Sequence, residues 1–309
     1  MRKTQLKDGY QLRDSPFFRL ANRKKLSTLL RVSEETLKAL STSQDLYTRR
    51  WKHKTKKDKE VDAWKNYIPE NADEYRPIDI PIPKLKATQN RISDLLSRVQ
   101  APDFLFSPVK GRSYVENASH HVEGTAFWSL DVADYFPNCK ANNVARFFRR
   151  DLECSRDVTA ILVALTTLNK CLPQGSPSSP ILAYYGNSHM WLKVADLVAS
   201  YSCKFSLYAD DITISGPIIK KELIWKIKKI IHANGFLLKP SKEISLIHAP
   251  ADITGVIVKQ GKTHLPNRQL KRLAELKKER AHTKNPASQA VLDNQISGRL
   301  GQRRQVERV

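Results

Sequence analysis

The 309-residue sequence predicts an α+β fold, and three observations indicate it. Apolar residues recur at helical spacings near both ends of the chain, within residues 26–41 and 267–309. Between about residues 75 and 258, strand-like and helix-like segments alternate irregularly, which fits an antiparallel sheet with helices better than a doubly wound sheet. A change of apolar phase within residues 204–216 predicts a β-hairpin.

The N-terminal part begins with a predicted pair of short helices at residues 26–41, in which Ser33 caps the second helix. A basic run, RRWKHKTKKDKE, follows at residues 49–60. Such runs are often only solvated, but the embedded Trp51 favours a segment that contacts phosphates.

The central elements follow from local patterns. Prolines within YRPIDIPIPKLK, residues 75–86, predict extended structure at a sheet edge. The almost wholly apolar run AFWSLD, residues 126–131, predicts a buried strand. Apolar periodicity predicts helices at residues 86–99, 158–168, 181–201 and 221–234, the last of them stopping at Gly235.

Charge limits the classes of partner. The chain has 53 Lys and Arg against 31 Asp and Glu, a formal net charge of +22. This excess indicates a polyanionic partner, most often nucleic acid, with an anionic lipid surface as the alternative. No apolar run reaches the roughly 20 residues of a membrane-spanning helix. The first residues also lack the apolar core of a secretory signal, so we expect a cytoplasmic protein without a membrane partner.

The sharpest local signal is KFSLYADDITISG, residues 204–216. Phe205 and Leu207 occupy odd positions and Ile212 and Ile214 even ones, so the phase changes across the aspartates at 210 and 211. A hairpin with its turn at this pair explains the change. Adjacent carboxylates repel each other unless a divalent cation lies between them. A solvated Asp-Asp turn is an equally good interpretation of this segment alone.

A third carboxylate, Asp131, ends the predicted strand at residues 126–131. If this strand lies beside the hairpin, Asp131, Asp210 and Asp211 converge. Three such groups can hold two Mg²⁺ ions about 3.5–4 Å apart, one activating an attacking 3′-hydroxyl and the other stabilising the leaving pyrophosphate.

The segments SLDVADYFP, LPQGSPSSPILA and LYADD, in this order, resemble the palm motifs of reverse transcriptases. NASHH at residues 117–121 resembles the N-A-x-x-H element of retron reverse transcriptases, and ITG at 253–255 resembles their V-T-G element, with Ile253 in place of valine. The predicted N-terminal helical pair also resembles the start of retron enzymes.

The resemblance implies a right-hand polymerase with fingers, a palm and a short helical thumb. We expect an N-terminal helical and basic region at residues 1–70, fingers and palm at 71–260 and a basic helical thumb at 261–309. The thumb would follow the template-primer backbone and recognise a structured RNA.

The resemblance also assigns catalytic and metal-binding roles to Asp131, Asp210 and Asp211, with the backbone after Asp131 as a further candidate ligand. Lys242 aligns with a lysine that donates a proton to the departing pyrophosphate, although Lys239 is close enough to compete.

Four residues are assigned to the incoming deoxynucleotide by resemblance. Arg76 matches an arginine that grips the triphosphate. Phe136 matches the ring that excludes a 2′-hydroxyl, with core packing as the alternative. Gln174 and Gly175 match the loop that abuts the nascent base pair.

The two retron-type elements add candidate nucleic-acid contacts: Asn117, His121, Thr254 and Gly255.

The implied activity is RNA-directed DNA synthesis on a dedicated noncoding RNA. Retron enzymes start from the 2′-hydroxyl of a branch guanosine and leave RNA-linked multicopy single-stranded DNA. They commonly act in phage defence with an effector protein, so we expect the RNA, the DNA product and an effector as partners. The alternatives are another bacterial reverse transcriptase, of the group II intron or diversity-generating kind, and a noncatalytic RNA- or DNA-binding scaffold.

Overall fold

A computed structural model describes residues 9–54, 60–62 and 71–307. Helices and largely antiparallel sheets alternate irregularly along it, which confirms the predicted α+β class. The helices are α1 (Arg23–Leu30), α2 (Glu34–Thr42), α3 (Pro83–Leu96), α4 (Tyr114–Ser119), α5 (Tyr135–Asn138), α6 (Ala141–Arg146), α7 (Arg156–Thr166), α8 (Ser179–Gly186), α9 (Ser188–Ser200), α10 (Lys221–Ala233), α11 (Asn267–His282) and α12 (Pro286–Val306). The strands are β1 (Tyr47–His53), β2 (Glu60–Asp62), β3 (Tyr75–Pro81), β4 (Leu105–Ser107), β5 (Ala126–Asp131), β6 (Lys204–Tyr208), β7 (Asp211–Gly216), β8 (Ile244–Ile247), β9 (Ala251–Ile253), β10 (Val256–Lys259) and β11 (Lys262–His264).

The described residues divide into two compact units. The first unit contains those within Met1–Pro102 and Asp134–Leu192, and the second contains those within Asp103–Ala133 and Lys193–Val309. The expected boundaries near residues 70 and 260 stay a prediction. No described helix is both long and apolar enough to cross a membrane.

In the first unit, a three-stranded antiparallel sheet has the order β2-β1-β3, so the proline-containing β3 lies at an edge as predicted. The helical pair α1 and α2 forms where expected. The Ser33 hydroxyl caps α2 as predicted, accepting a hydrogen bond from the Thr36 N–H at 3.1 Å. Trp51 is buried within β1. Residues 55–59 of the predicted phosphate-contacting run lie outside the described residues.

The single helix predicted at residues 181–201 is wrong. Helix α8 ends at Gly186 and α9 starts at Ser188, with Asn187 between them. The Asn187 amide nitrogen donates to the Ala183 carbonyl at 2.9 Å, and its oxygen accepts from the Asn143 side chain at 2.8 Å. Asparagine competes with helical backbone bonding in this way, and here a tertiary partner fixes the break.

In the second unit, five strands form a sheet in the order β4-β6-β7-β5-β8. Strand β5 lies between β7 and β8, antiparallel to both, which confirms the predicted buried strand. Strands β9, β10 and β11 form a smaller antiparallel sheet. Side chains of α4, β5 and β10 share one apolar core, including Val115, Ala118, Phe127 and Val256. The sheet therefore holds the end of β5, where Asp131 lies, beside β7.

Candidate active site

The predicted hairpin is present, with its turn one residue earlier than expected. Strands β6 and β7 pair antiparallel, with Tyr208 opposite Asp211, so Ala209 and Asp210 form the turn. Ala209 has a φ of 56°, in the left-handed region that two-residue hairpin turns use. Asp211 is thus the first residue of β7, and Asp210 lies at the tip.

Strand register brings the three aspartates together. Asp131 is the Cα partner of Asp211 across the β5–β7 pair. The Val132 N–H donates to the Asp210 carbonyl at 3.1 Å, which ties the end of β5 to the hairpin turn. Directly opposite side chains in antiparallel strands lie about 4.5–5.5 Å apart at their Cβ atoms. The convergence that the sequence predicted is therefore built into the sheet.

The three carboxylates lie close enough, and are buried enough, to change one another's protonation. Desolvation, followed by the nearby carboxylates of Asp210 and Asp131, raises the pKa of Asp211 to about 6. Asp131 is buried, and its two oxygens form ion pairs with the Lys239 and Lys242 ammonium groups, the latter at 2.5 Å. The hydrogen bond to Asp131 raises the pKa of Lys242. The two lysines offset charge that three close carboxylates cannot carry alone.

The donor set fits Mg²⁺. Carboxylate oxygens are the ligands that this ion prefers, and like charges opposite each other in a sheet are destabilising without a counter-ion. Among the described residues, no three His, Cys, Asp or Glu side chains are arranged as a preformed metal site. Both Asp131 oxygens are engaged by lysines. A metal ion held by Asp131 would therefore take the place of a lysine partner.

Two of the predicted nucleotide-binding segments meet within the first unit. The Asp79 N–H on β3 donates to the Gln174 carbonyl at 2.7 Å. Gly175 has a φ of 125°, and a Cβ there would lie 2.6 Å from the Asp79 carbonyl oxygen. Its backbone thus approaches β3 more closely than any other residue type allows. Arg76 lies on the same strand with its side chain exposed.

Phe136 lies in the short helix α5, also in the first unit, and is only partly buried. Its ring contacts that of Tyr135 with centroids 5.8 Å apart. Tyr135 is the buried member of the pair, and its hydroxyl donates to the Ala183 carbonyl at 3.0 Å. Core packing therefore falls mainly on Tyr135, and the role of Phe136 at the sugar stays a prediction.

The retron-type elements are joined to each other in the second unit. The Asn117 amide donates to the Thr254 hydroxyl at 3.2 Å, and this hydroxyl donates to the Tyr114 carbonyl at 3.0 Å. Gly255, with a φ of 86°, follows Thr254 in the turn between β9 and β10. The Asn117 side chain is buried, so its bonds are made inside the protein.

His121 is also buried, with no exposed surface. Its Nδ1 lies 2.7 Å from the Ser215 hydroxyl on β7, and its Nε2 lies 2.7 Å from the Ser206 hydroxyl on β6. Burial, then the positive charge of His120 and Lys204, holds its pKa well below 6.5. A neutral imidazole therefore bridges the two strands whose turn carries Asp210. Contact of these retron-type residues with nucleic acid stays a prediction.

A family model described as reverse transcriptase (RNA-dependent DNA polymerase) matches residues 55–258. The chain belongs to the reverse transcriptase family. RNA-directed DNA synthesis is accordingly its activity, and the three aspartates lie in the matched segment.

Several curated relatives of this reverse transcriptase are retron enzymes. It is 26% identical over 277 residues to the Retron Ec86 reverse transcriptase of Escherichia coli, covering 88% of this chain and 82% of that one. It is 25% identical over 291 residues to the Retron Se72 reverse transcriptase of Salmonella heidelberg, covering 90% and 73%.

Among solved structures, the polymerase is similar to a foamy viral protease-reverse transcriptase in complex with RNA/DNA hybrid, at 16% identity and a TM-score of 0.40. The match covers 68% of this chain and 24% of the viral one, so this chain spans about a quarter of that protein.

Sequence reasoning missed the two serines that bind His121. Ser206 and Ser215 are polar residues within buried strands of the polymerase, and both are almost fully buried. A buried hydroxyl in an apolar strand needs a hydrogen-bond partner, so the sequence could have predicted that each serine has one. Sequence alone could not identify the partner, because His121 is distant from both along the chain.

Proposed function

We propose that this reverse transcriptase is the polymerase of a retron. It copies part of a cognate structured noncoding RNA, starting from the 2′-hydroxyl of a branch guanosine, and leaves RNA-linked multicopy single-stranded DNA. The proposed catalytic role of the aspartates rests on the register of β5 and β7, which places Asp131 opposite Asp211 and beside the turn at Asp210. The retron enzymes among its relatives, together with NASHH and ITG, support the retron over group II intron and diversity-generating enzymes.

Asp131, Asp210 and Asp211 would hold two Mg²⁺ ions. When bound, the ions supply activation of the attacking hydroxyl and stabilisation of the pyrophosphate charge. Lys242 and Lys239 are the cations next to this cluster, since both pair with Asp131. We assign proton donation to the departing pyrophosphate to Lys242, because its side chain is the more exposed of the two.

The incoming deoxynucleotide would be bound by residues of the first unit. Arg76 presents an exposed guanidinium, the group best suited to a triphosphate. Phe136 would exclude a 2′-hydroxyl. Gln174 and Gly175 would support the nascent base pair from a loop that is hydrogen-bonded to β3 and packed closely against it.

The RNA and its DNA product account for the net charge of +22. We assign nucleic-acid contact to the turn at Thr254 and Gly255, and a supporting role for that surface to the buried Asn117 and His121. Helices α11 and α12 would act as the thumb along the duplex backbone.

The test supplies the candidate RNA encoded beside the gene, Mg²⁺ and deoxynucleotides, and compares the wild type with Asp210→Asn. The wild type is expected to make branched RNA-linked DNA, and Asp210→Asn to make none. Asp103→Asn is the control, since it removes a fully exposed carboxylate. Equal branched DNA from wild type and Asp210→Asn contradicts the catalytic assignment. Unbranched DNA from the wild type contradicts the retron assignment alone.

We further propose that the enzyme works in the cytoplasm, within an antiphage system, and binds a separate effector protein together with its DNA product. Affinity purification from cells that express the whole locus tests this. A second protein encoded by the locus is expected to co-purify with the wild type. Recovery of the enzyme with its RNA and DNA but no second protein contradicts the effector proposal.

A further inference from the structure

Four arginines of the first unit converge on one cavity of about 600 Å³. The cavity lies along α6, the π-helical turn Phe147–Asp151 and α7, and its floor includes Ala145, Ala160 and Val163. The arginines that line it are Arg146, Arg149, Arg150 and Arg156. No Asp or Glu is among its lining residues, so it is a strongly positive pocket with an apolar floor.

The neighbouring acidic side chains are paired with basic side chains outside the cavity. Three carboxylates on or beside the same segments have partners elsewhere: Asp151 with His189, Glu153 with Arg19, and Asp157 with Arg23. The positive charge of the cavity is therefore not offset by the acidic residues closest to it in sequence.

Two of the guanidinium groups are held in place by backbone carbonyls. Arg146 donates through Nη2 to the Gly186 carbonyl at 2.8 Å, and Arg149 donates through Nη1 to the Cys154 carbonyl at 2.8 Å. Each arginine has five N–H donors in a rigid fork, so these bonds leave most of the donors free for an anion.

Two residues that line this cavity each have a buried polar atom without a hydrogen-bond partner among the described residues: Arg146 Nε and Thr159 Oγ1. Thr159 is buried, with 7% of the residue exposed. Other helical threonines in the chain, Thr88 and Thr166, donate to the carbonyl four residues earlier. Leaving such buried atoms unpaired is unfavourable, and an external acceptor would satisfy them.

We propose that this cavity binds a phosphate group. Phosphate oxygens match the arginine forks and would accept from Arg146 Nε and the Thr159 hydroxyl. Within the proposed function, on which this assignment of the ligand rests, the source we favour is the backbone of the bound RNA or DNA. The other source of the same chemistry is a free phosphate or nucleotide.

The experiment measures binding of a fluorescently labelled RNA hairpin by anisotropy at several salt concentrations, without deoxynucleotides, so it does not depend on DNA synthesis. In Arg150→Gln/Arg156→Gln, affinity is expected to fall about tenfold, and the slope of log K against log salt to decrease by about 1.4–1.8, because two phosphate contacts are lost. The control, Arg13→Gln/Arg31→Gln, removes equal charge from exposed positions of the same unit.

A second variant separates binding from folding. Thr159→Val keeps the side-chain shape and removes only the unpaired hydroxyl, so its melting temperature is expected to equal or exceed that of the wild type. Its affinity for the RNA is expected to fall at least about tenfold, the loss of one hydrogen bond to a charged group. A thermal shift with inorganic phosphate, on the wild type and on Arg150→Gln/Arg156→Gln, forms the second arm.

Weaker RNA binding in both cavity variants supports a backbone phosphate. Unchanged RNA binding, with phosphate raising the melting temperature of the wild type but not of the arginine variant, supports a free phosphate or nucleotide. If the cavity variants match the wild type and the control in both arms, the phosphate site is refuted. A wild type that makes no branched DNA, while the cavity variants still lose RNA affinity, would instead count against the proposed function and leave the phosphate site supported.

Discussion

The substitution His121→Leu tests whether the imidazole holds the hairpin that carries Asp210 and Asp211. Both ring nitrogens lie 2.7 Å from serine hydroxyls, Ser206 on β6 and Ser215 on β7. Leucine fills a similar volume and leaves both hydroxyls buried without this partner. At about 1–3 kcal/mol for each unpaired group, the free energy of unfolding is expected to fall by about 2–6 kcal/mol.

Urea unfolding of the full chain measures the loss. The matched variant is His121→Leu/Ser206→Ala/Ser215→Ala, which removes the unpaired hydroxyls as well and is expected to recover much of the stability. Asn117→Ala is the control, since Asn117 bonds to Thr254 rather than to the hairpin.

A loss below about 1 kcal/mol in His121→Leu would refute the bridge, because unpaired buried hydroxyls cost more than that. A triple variant as unstable as the single one would refute the hydrogen-bond explanation and leave volume as the cause. The elongation rate on a primed template, measured where wild type and variant are both folded, is expected to fall in His121→Leu.

Three further predictions concern pH, a glycine and the active-site lysines. The pKa of His121 is held below 6.5 in the folded chain, so the unfolded chain binds the proton first as pH falls through 6.5. This difference should lower the free energy of unfolding by at most about 1.4 kcal/mol for each pH unit of decrease. Urea unfolding of His121→Gln at several pH values should lack this contribution. Gly175→Ala should lose about 1–3 kcal/mol in urea unfolding, because its Cβ would overlap the Asp79 carbonyl, whereas Gly298→Ala, with open space at the Cβ, should not. Lys242→Gln should lower single-turnover elongation by about 10²–10⁴-fold and Lys239→Gln by much less; the reverse order would transfer proton donation to Lys239.

The periodicity of the chain predicted the elements that form the active site. The alternating apolar residues on either side of Asp210 predicted a hairpin, because alternation places the apolar side chains on one face of each strand. The apolar run before Asp131 predicted a strand buried on both faces. The turn lies one residue earlier than predicted, at Ala209 and Asp210, and Ala209 has a positive φ there. A non-glycine residue with positive φ is uncommon, so no sequence rule favours that position.

Features that depend on tertiary partners were not predictable in the same way. The break at Asn187 depends on Asn143, a residue of another helix. The ion pairs of Asp131 depend on the backbone around the 3₁₀ turn Pro240–Lys242, where the Lys239 N–H donates to the Asp131 carbonyl at 2.9 Å. That bond sets both lysines beside one carboxylate. From sequence, each was equally well an exposed surface lysine.

The retron-type residues show that a family pattern alone does not identify what each residue contacts. NASHH and ITG resemble a family pattern, and the pattern alone suggests that each contacts nucleic acid. In the structure, Asn117 bonds to Thr254, and His121 bonds to both strands of the hairpin. One short segment therefore connects the turn before β10 to the strands that carry Asp210 and Asp211. Asn117 in α4 and His121 just beyond it are therefore bonded inside the protein, and either can support the candidate nucleic-acid surface without touching RNA.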